Sequence, residues 1–537
     1  MADTVELPDK YATKAETTSA GSSNSPAAEV NEIREALDGY VLDPAQYPDN
    51  AAGLKLSDDG KHVLIPQPTD SPDDPLNWSA GKKAITLIIM GYIAALADYT
   101  GGTAIITVIP QSLSQRLSQY NSEWNMTAAA VQKAVVGNIF AIGVCGLFVV
   151  AFANYFGRLP VALVFQAVFF ATCAWSAAAT SFDSYLAARI VNGLFCSVGQ
   201  GGALMWIKDL FFFHQHARAI NWVEFSIITS PYLGPLITAF IVSGTTWRWA
   251  FWLCTILAGI ALTLTVFFLD ETLYTRSISE SERVPRGSRI QQLIGIDQAK
   301  SSHQRSLTES LMRPTVAITK LPVLLTTIYY FLNFAWVIGV NTTVSIWLTQ
   351  FYGFTPRGIG YFYFFGIIGP LIGWFAGHWL HDTVGRLYAR RHDGHIDPEA
   401  RLIIAYPATA LLFVAVVVIG FALQHRWHYM VLAVFSAVQT VGVMIVTTAI
   451  NAYLLDCYPE GSGEVGAWVT ASRNWSGFMA TFIQIEWVTN AGPAIAFGAQ
   501  AGITGASIII LIILQLYGKK LRKWQGRMVF SKQSKVL

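Results

Sequence analysis

The stretches Asn-Tyr-Phe-Gly-Arg-Leu-Pro, Asn154–Pro160, and Asp-Thr-Val-Gly-Arg-Leu-Tyr-Ala-Arg-Arg, Asp382–Arg391, decide the fold. Each lies between two long apolar runs, and each carries a Gly-Arg pair. Glycine allows a tight turn. An arginine is too costly in hydrocarbon to sit there unpaired, so the pair reads as a reversal at the membrane surface. Working outward, apolar runs long enough to cross a bilayer fall roughly at 84–110, 128–152, 159–180, 184–209, 217–243, 247–269, 319–350, 357–380, 401–424, 427–455, 462–488 and 493–517. The first Gly-Arg turn follows the second run and the other follows the eighth. Six runs precede the polar stretch 270–318 and six follow it. The chain therefore reads as an all-α integral membrane protein, with twelve transmembrane helices in two six-helix pseudo-symmetric bundles.

Composition agrees. Of 537 residues, 53% are hydrophobic and only 13% charged, against about 25% charged in soluble domains. The 17 tryptophans suit interfacial belts. A net charge of +2 suggests no nucleic-acid partner. Up to Lys83 there are 15 acidic and 7 basic residues, leaving 34 − 15 = 19 acidic and 36 − 7 = 29 basic for the remainder. This gives an acidic tail, 1–83, read as disordered and cytoplasmic, with a short helix near Val30–Asp38. A bundle at 84–269, a cytoplasmic loop at 270–318, a second bundle at 319–517 and a basic tail at 518–537 follow. The polar start, MADTVELPDK, shows no cleavable signal, so the first span serves as its own insertion signal. Arginines and lysines favour the loops that put both termini in the cytoplasm. The five cysteines form no CxxC pair or disulfide framework.

With these residues in place, the stretch from about Asn77 to Tyr517 resembles the major facilitator superfamily, in particular its fungal-type twelve-span drug:H+ antiporter branch. The family's loop signature is G-x-x-x-D-R-x-G-R-[KR]. The first copy keeps Gly157 and Arg158 but has Asn154 at the acidic position; the second keeps Asp382, Gly385 and Arg386. An arginine here can pair with a carboxylate at the inner end of a neighbouring span, which suggests two symmetric latches, Arg158–Asp209 and Arg386–Asp456. The alternative is that these arginines only orient the chain in the membrane. SPYLGPLITA, Ser230–Ala239, resembles the G-x-x-x-G-P-x-x-G-G antiporter motif through Gly234 and Pro235. AARIVNG, with Arg189 and Gly193, resembles the fourth-span R-x-x-x-G whose arginine is linked to proton coupling. Close packing for the first and snorkelling for the second are the plainer readings. The string FLDETLYTR replaces the sugar-porter PESPR, which argues against a hexose carrier.

Polar groups inside the apolar runs are the candidate binding residues. Asp98 is mid-span and costs about 3 kcal/mol or more unless hydrated or protonated. Glu224 either faces the cavity or reaches back to the inner surface. Arg473, Asn333, Asn341 and Asn451 complete the binding set, with Asn138 and Asn474 as further amides that interhelical hydrogen bonding explains equally well. Tyr99, Trp222, Tyr232, Tyr330, Trp336, Trp347, Tyr361, Tyr453 and Trp475 are candidates to line an amphipathic pocket. Asn125 is the one glycosylation sequon in a predicted outer loop. There is no metal-ligand spacing, no P-loop, no catalytic constellation and no implied cofactor.

The resemblance implies a monomeric proton-coupled antiporter in the cell membrane that exports drugs, toxins or a secondary metabolite by alternating access. Protonation of Asp98, with Glu224, would compete with substrate, and Arg189 would tune that acid. Uptake of a cationic nutrient such as a polyamine uses the same features. A receptor that kept the fold and lost transport is the reading from another class, which the Asn154 replacement allows.

Overall fold

The computed structural model describes residues 40–41, 54–57, 60, 63–111, 124, 126, 128–274, 276, 287–296, 306–391, 395–528 and 530. Its contacts divide these into two units. The smaller contains residues up to Pro68 together with Ala389–Asp397. Within it, strand β1 (Tyr40–Val41) pairs antiparallel with β2 (His395–Ile396). The Gln67 side chain accepts from the Lys55 amide at 2.9 Å and donates to the Leu64 carbonyl at 2.7 Å. The expected helix at Val30–Asp38 lies outside the described residues.

The larger unit holds the membrane-length helices, the end of span 8 from Ala389 excepted. In chain order they are span 1 (Ala80–Gln111), span 2 (Ala128–Phe156), span 3 (Arg158–Ala178), span 4 (Phe182–Leu210), span 5 (Phe213–Gly244) and span 6 (Arg248–Phe268). After a connecting helix, Leu307–Ile318, come span 7 (Leu321–Tyr352), span 8 (Pro356–Arg391), span 9 (Pro398–Gln424), span 10 (Tyr429–Cys457), span 11 (Ser462–Ala491) and span 12 (Pro493–Gln525). A helix needs about 20 residues to cross the hydrocarbon core. Every span meets that length, and eleven contain a stretch apolar enough to cross. Span 11 does not reach that apolarity, its middle being the polar run Thr470–Ser476 around Arg473 and Asn474. The twelve-span reading holds nonetheless: Arg473 is turned inward and is only 4% exposed.

The halves pack alike. Span 1 lies on span 5 as span 7 lies on span 11, and span 3 lies on span 6 as span 9 lies on span 12. Spans 2 and 4 meet where Gly193 presses on the Asn138 carbonyl; spans 8 and 10 meet where Gly369 and Gly373 press on Ala437 and Met444. Across the halves, span 2 meets span 11 and span 5 meets span 10. With lipid outside, there is no hydrophobic gain in bringing helices together, so close backbone approach and hydrogen bonds must do it. Gly234 shows the mechanism: a Cβ there would come within 2.4 Å of the Tyr99 carbonyl oxygen. The same crossing places Gly102 against the Pro231 carbonyl and Pro235.

The two Gly-Arg stretches behave differently. Gly157 has φ +100°, outside the range of other residues, and separates spans 2 and 3. Its Arg158 opens span 3 and is followed by Pro160, which suits a first helical turn. The second stretch makes no turn: span 8 runs as continuous helix through Gly385 and Arg386. No proline follows there, and the chain reverses only after Arg391. The expected tight turn at Gly385-Arg386 is therefore replaced by a helical extension.

The segment leading into span 1 is clamped by Asp74. It caps Leu76 N at 3.0 Å, accepts from Thr69 N at 3.1 Å and pairs with Arg276 Nη2 at 2.9 Å. Burial raises its carboxyl, but the Arg276 guanidinium and these backbone amides more than offset that and hold it below the ordinary 3.8. The clamp is thus intact above the usual carboxylate range and is lost as pH falls through the lowered value. Arg276→Ala removes the main lowering cause, so loosening of this segment should begin at a higher pH than in the wild type. Limited proteolysis across pH 3–6 (roughly one unit either side of the usual carboxylate range) measures the onset, and an unchanged onset contradicts the clamp.

Candidate transport site

Three charged side chains meet between the halves, each about three helical turns or more from either end of its span. Asp98 comes from span 1 and Glu224 from span 5, both in the first half; Arg473 comes from span 11, in the second. Arg473 Nη2 lies 3.5 Å from Asp98 Oδ2, and Nη1 lies 4.0 Å from Glu224 Oε2. The guanidinium also donates to Gln200 Oε1 of span 4 and stands 5.8 Å from the Phe334 ring of span 7. Asn451 of span 10 donates to Glu224 Oε1 at 2.8 Å. The carboxylates thus belong to one half, and the groups that neutralise or cap them belong largely to the other.

Two hollows flank this triad. The larger, of about 50 Å³, is lined by Asp98, Asn341, Thr342, Asn474, Tyr232 and Phe334 amid aliphatic side chains. The smaller, of about 10 Å³, is lined by Gln200, Glu224, Tyr330, Asn451 and Thr470. Ile227 and Arg473 line both, so Arg473 forms part of the partition between them. The arrangement is a mostly apolar cleft with a small number of fixed polar groups, the usual composition of a site for an organic ligand.

The other expected residues sort cleanly. Asn341 lines the larger cleft and donates across the halves to the Pro231 carbonyl at 3.2 Å. Asn333 is structural within the second half, donating to Tyr329 O and Ser507 Oγ. Arg189 does not snorkel and has no acidic partner among the described residues: it is fully buried, donates to the Thr100 carbonyl at 3.0 Å and stacks on Phe251. Arg473, rather than Arg189, is the guanidinium beside Asp98. Of the aromatic candidates, Tyr232 and Tyr330 line the hollows, whereas Trp336 and Trp347 pack on Trp487 and Phe497. Gln200 and Phe334 were not singled out from sequence. The glycines around Gln200, in Val198–Gly202, were the available signal: a lone amide in a closely packing segment.

At the end of the bundle carrying Gly157, Arg158 Nε meets Asp209 Oδ2 at 2.6 Å, as its pattern suggested. Glu271, just after span 6, accepts from the amides of Arg158 and Leu159, both at 3.1 Å, and so caps span 3. Asp456 is held by Arg401 Nε at 3.0 Å, a partner on span 9. The side chains of Asp382 and Arg386 lie outside the described residues, as does Asn125. Asn154 donates across the halves to Glu464 Oε1 at 3.2 Å, and Arg313 of the connecting helix donates to the same oxygen.

The architecture is that of a membrane carrier with a central site between two halves. Residues 91–481 match the Major Facilitator Superfamily model, and the chain belongs to that family. An uncharacterised transporter of Schizosaccharomyces pombe is 25% identical, with 89% of this chain and 96% of that one covered. The Aspergillus oryzae MFS transporter cpaT is 24% identical, covering 85% and 90%. Saccharomyces cerevisiae Protein HOL1 is 23% identical, covering 87% and 91%. Among solved structures, the proton:xylose symporter XylE superposes with a TM-score of 0.60 at 14% identity, covering 84% of this chain and all of that one. The human organic anion transporter MFSD10 gives 0.55 at 16%, covering 81% and all of that chain. The protein is therefore a multi-pass membrane transporter of a family that carries small molecules.

Gly234→Ala tests the crossing that positions Asp98 and Glu224. The added methyl meets backbone, which cannot swing aside, so a loss of about 1–3 kcal/mol is expected. A thermal-unfolding midpoint equal to wild type in detergent would show that spans 1 and 5 tolerate separation.

Proposed function

We propose that this protein is a proton-coupled antiporter that exports amphipathic organic compounds across the cell membrane by alternating access. The observation that carries the reading is the meeting of Asp98 and Glu224 with Arg473 between the halves. A rocking motion about this point would change which carboxylate the guanidinium contacts, and with it the cost of leaving each one charged. Asp98 reaches the larger cleft and serves as the substrate-facing acid. The apolar lining suits a compound with an organic body and argues against a strongly hydrated solute such as a hexose.

The orientation follows from charge. With both termini cytoplasmic, Arg158, Arg218, Arg386, Arg390, Arg391 and Arg401 fall on the inner side with the basic central and terminal segments. On that side the Arg158–Asp209 pair and the Asn154–Glu464 contact act as the inner gate. Asn154 keeps a hydrogen bond across the halves, which supports a working gate over the receptor reading.

Compounds whose toxicity rises when the protein is removed from its host identify the cargo. In proteoliposomes with an imposed pH gradient, wild-type protein should then accumulate that cargo on the acidic side. Asp98→Asn should remain monodisperse and lose at least about tenfold of the gradient-driven flux, about 1.4 kcal/mol of coupling. Proton-driven flux at the wild-type rate in that variant would overturn the assignment, and accumulation on the opposite side would make the protein an importer.

A further inference from the structure

Span 12 does not end where its apolar sequence ends. Its last helix, Ile508–Gln525, runs on through Tyr517 and Gly518 into Lys-Lys-Leu-Arg-Lys-Trp-Gln. One face of this extension is fixed to the second half. A Cβ on Gly518 would come within 2.5 Å of Glu399 Oε1. Arg522 holds both oxygens of the same Glu399, with Nη2 at 3.1 Å from Oε2. Gln525 accepts from the Leu321 amide at 2.6 Å and donates to the Thr319 carbonyl at 3.0 Å. These contacts prevent the helix from turning about its axis, so the direction of its opposite face is set.

That opposite face changes character along its length. Ile509, Ile513, Leu516 and Tyr517 are exposed and apolar, as contact with lipid requires. Lys520 and Lys523 then follow at helical spacing, both exposed, with Trp524 beside them, 76% exposed. At the helical rise, Lys520 stands about 5 Å and Trp524 about 10 Å past Tyr517. Tyrosine and tryptophan favour the zone where hydrocarbon gives way to head groups. Lysine stems can lie along apolar surface while the ammonium stays in that zone. Nothing nearby neutralises the stripe. Glu399 is taken by Arg522, Glu460 faces Arg527 at 3.8 Å, and no Asp or Glu follows Glu486 in the chain. The complementary partner is an acidic phospholipid head group, which offers negative charge at the depth of the lysines.

The chain after this helix leads to the contact between the halves. Lys320 Nζ donates to the carbonyls of Gln525, Gly526 and Arg527 at 2.7, 3.0 and 3.0 Å. Met528 is buried against Gly461, where a Cβ would come within 2.5 Å of its sulfur. The Phe530 ring covers the Arg313 guanidinium at 3.8 Å. Arg313 holds Glu464, and Glu464 accepts from Asn154 of the first half. We propose that the outward face of this helix end, with Lys520, Lys523 and Trp524, is a docking surface for acidic phospholipid head groups. Lipid held there keeps Met528 seated on Gly461 and Phe530 on Arg313, so the charge of the surrounding membrane bears on the end where the halves meet. The inference is independent of the cargo and of proton coupling.

The test places the full-length protein in nanodiscs of phosphatidylcholine alone or of phosphatidylcholine with phosphatidylserine. Hydrogen exchange is followed in peptides covering 519–528 and 307–318. Acidic lipid should slow exchange in both by about fivefold or more, the effect of one lysine at an acidic surface. High salt should shrink the difference, because it screens exposed charges. Replacing both lysines, Lys520→Gln with Lys523→Gln, should abolish the difference, and Lys520→Arg with Lys523→Arg should keep it. Phe530→Ala should keep the lipid effect in 519–528 and lose it in 307–318. Equal exchange of the wild type in the two discs overturns the surface, and this comparison stands even where the glutamine pair fails to fold. A lipid effect that survives in the glutamine pair overturns it as well. The same slowing by inorganic phosphate added to neutral discs shows a free-anion site and overturns the lipid assignment. Slowing confined to 519–528 in the wild type overturns the link to Arg313. Exchange is measured without cargo or a pH gradient, so none of these outcomes decides the antiport reading.

Discussion

A guanidinium in the middle of a membrane protein has to be neutralised, and Arg473 is neutralised by the opposite half of the molecule. Its span carries too many charged residues to be apolar throughout, so its stability between the other helices depends on what it faces. It faces Asp98, Glu224 and Gln200, all from the first half. The two halves are thus joined at their centre by an electrostatic contact between partners none of which is affordable alone. Elsewhere the halves meet through hydrogen bonds such as Asn341 on Pro231 O and through aromatic packing such as Trp222 and Phe225 against Trp374. Among these contacts the central charges are the ones whose separation would leave ions unpaired.

Much of this was readable in advance because membranes impose strong rules. Length and apolarity located all twelve spans, since hydrocarbon tolerates little else. The pairing of Arg158 with Asp209 was also readable, because an arginine at a helix start and an acid at a neighbouring helix end have few other options. For the second pairing, Arg401 of span 9 holds Asp456, a partner the Gly-Arg pattern did not point to, while the Arg386 side chain lies outside the described residues. Likewise Asp98 was visible as an anomaly, but its partner was not. Choosing between Arg189 and Arg473 requires the rotation of each helix about its axis, and apolar runs with no marked polar face carry no such information. Gln200 was hidden for a related reason: an amide in an apolar run reads the same whether it bonds a neighbouring backbone or holds a charge.

Arg189 shows the other way to bury a cation. It has a carbonyl, an amide and an aromatic face within its own half, and these partners travel with it in any motion of the halves. Arg473 has partners that do not. The contrast separates a charge that stiffens one bundle from a charge that reports on the relation between two.

Glu464 combines both behaviours in one side chain. Its salt bridge to Arg313 ties it to the connecting helix, while its hydrogen bond to Asn154 crosses to the first half. Because the crossing partner is an amide, separating the halves at this end leaves no unpaired ion on the first half, and Asn154 can bond water instead. The loss is a single hydrogen bond to a charged acceptor, about 1.5–3 kcal/mol net of its replacement by water. An ion pair at the same place would add the desolvation of two charges to each separation. The amide keeps the cost of parting the halves at this contact to that of one hydrogen bond.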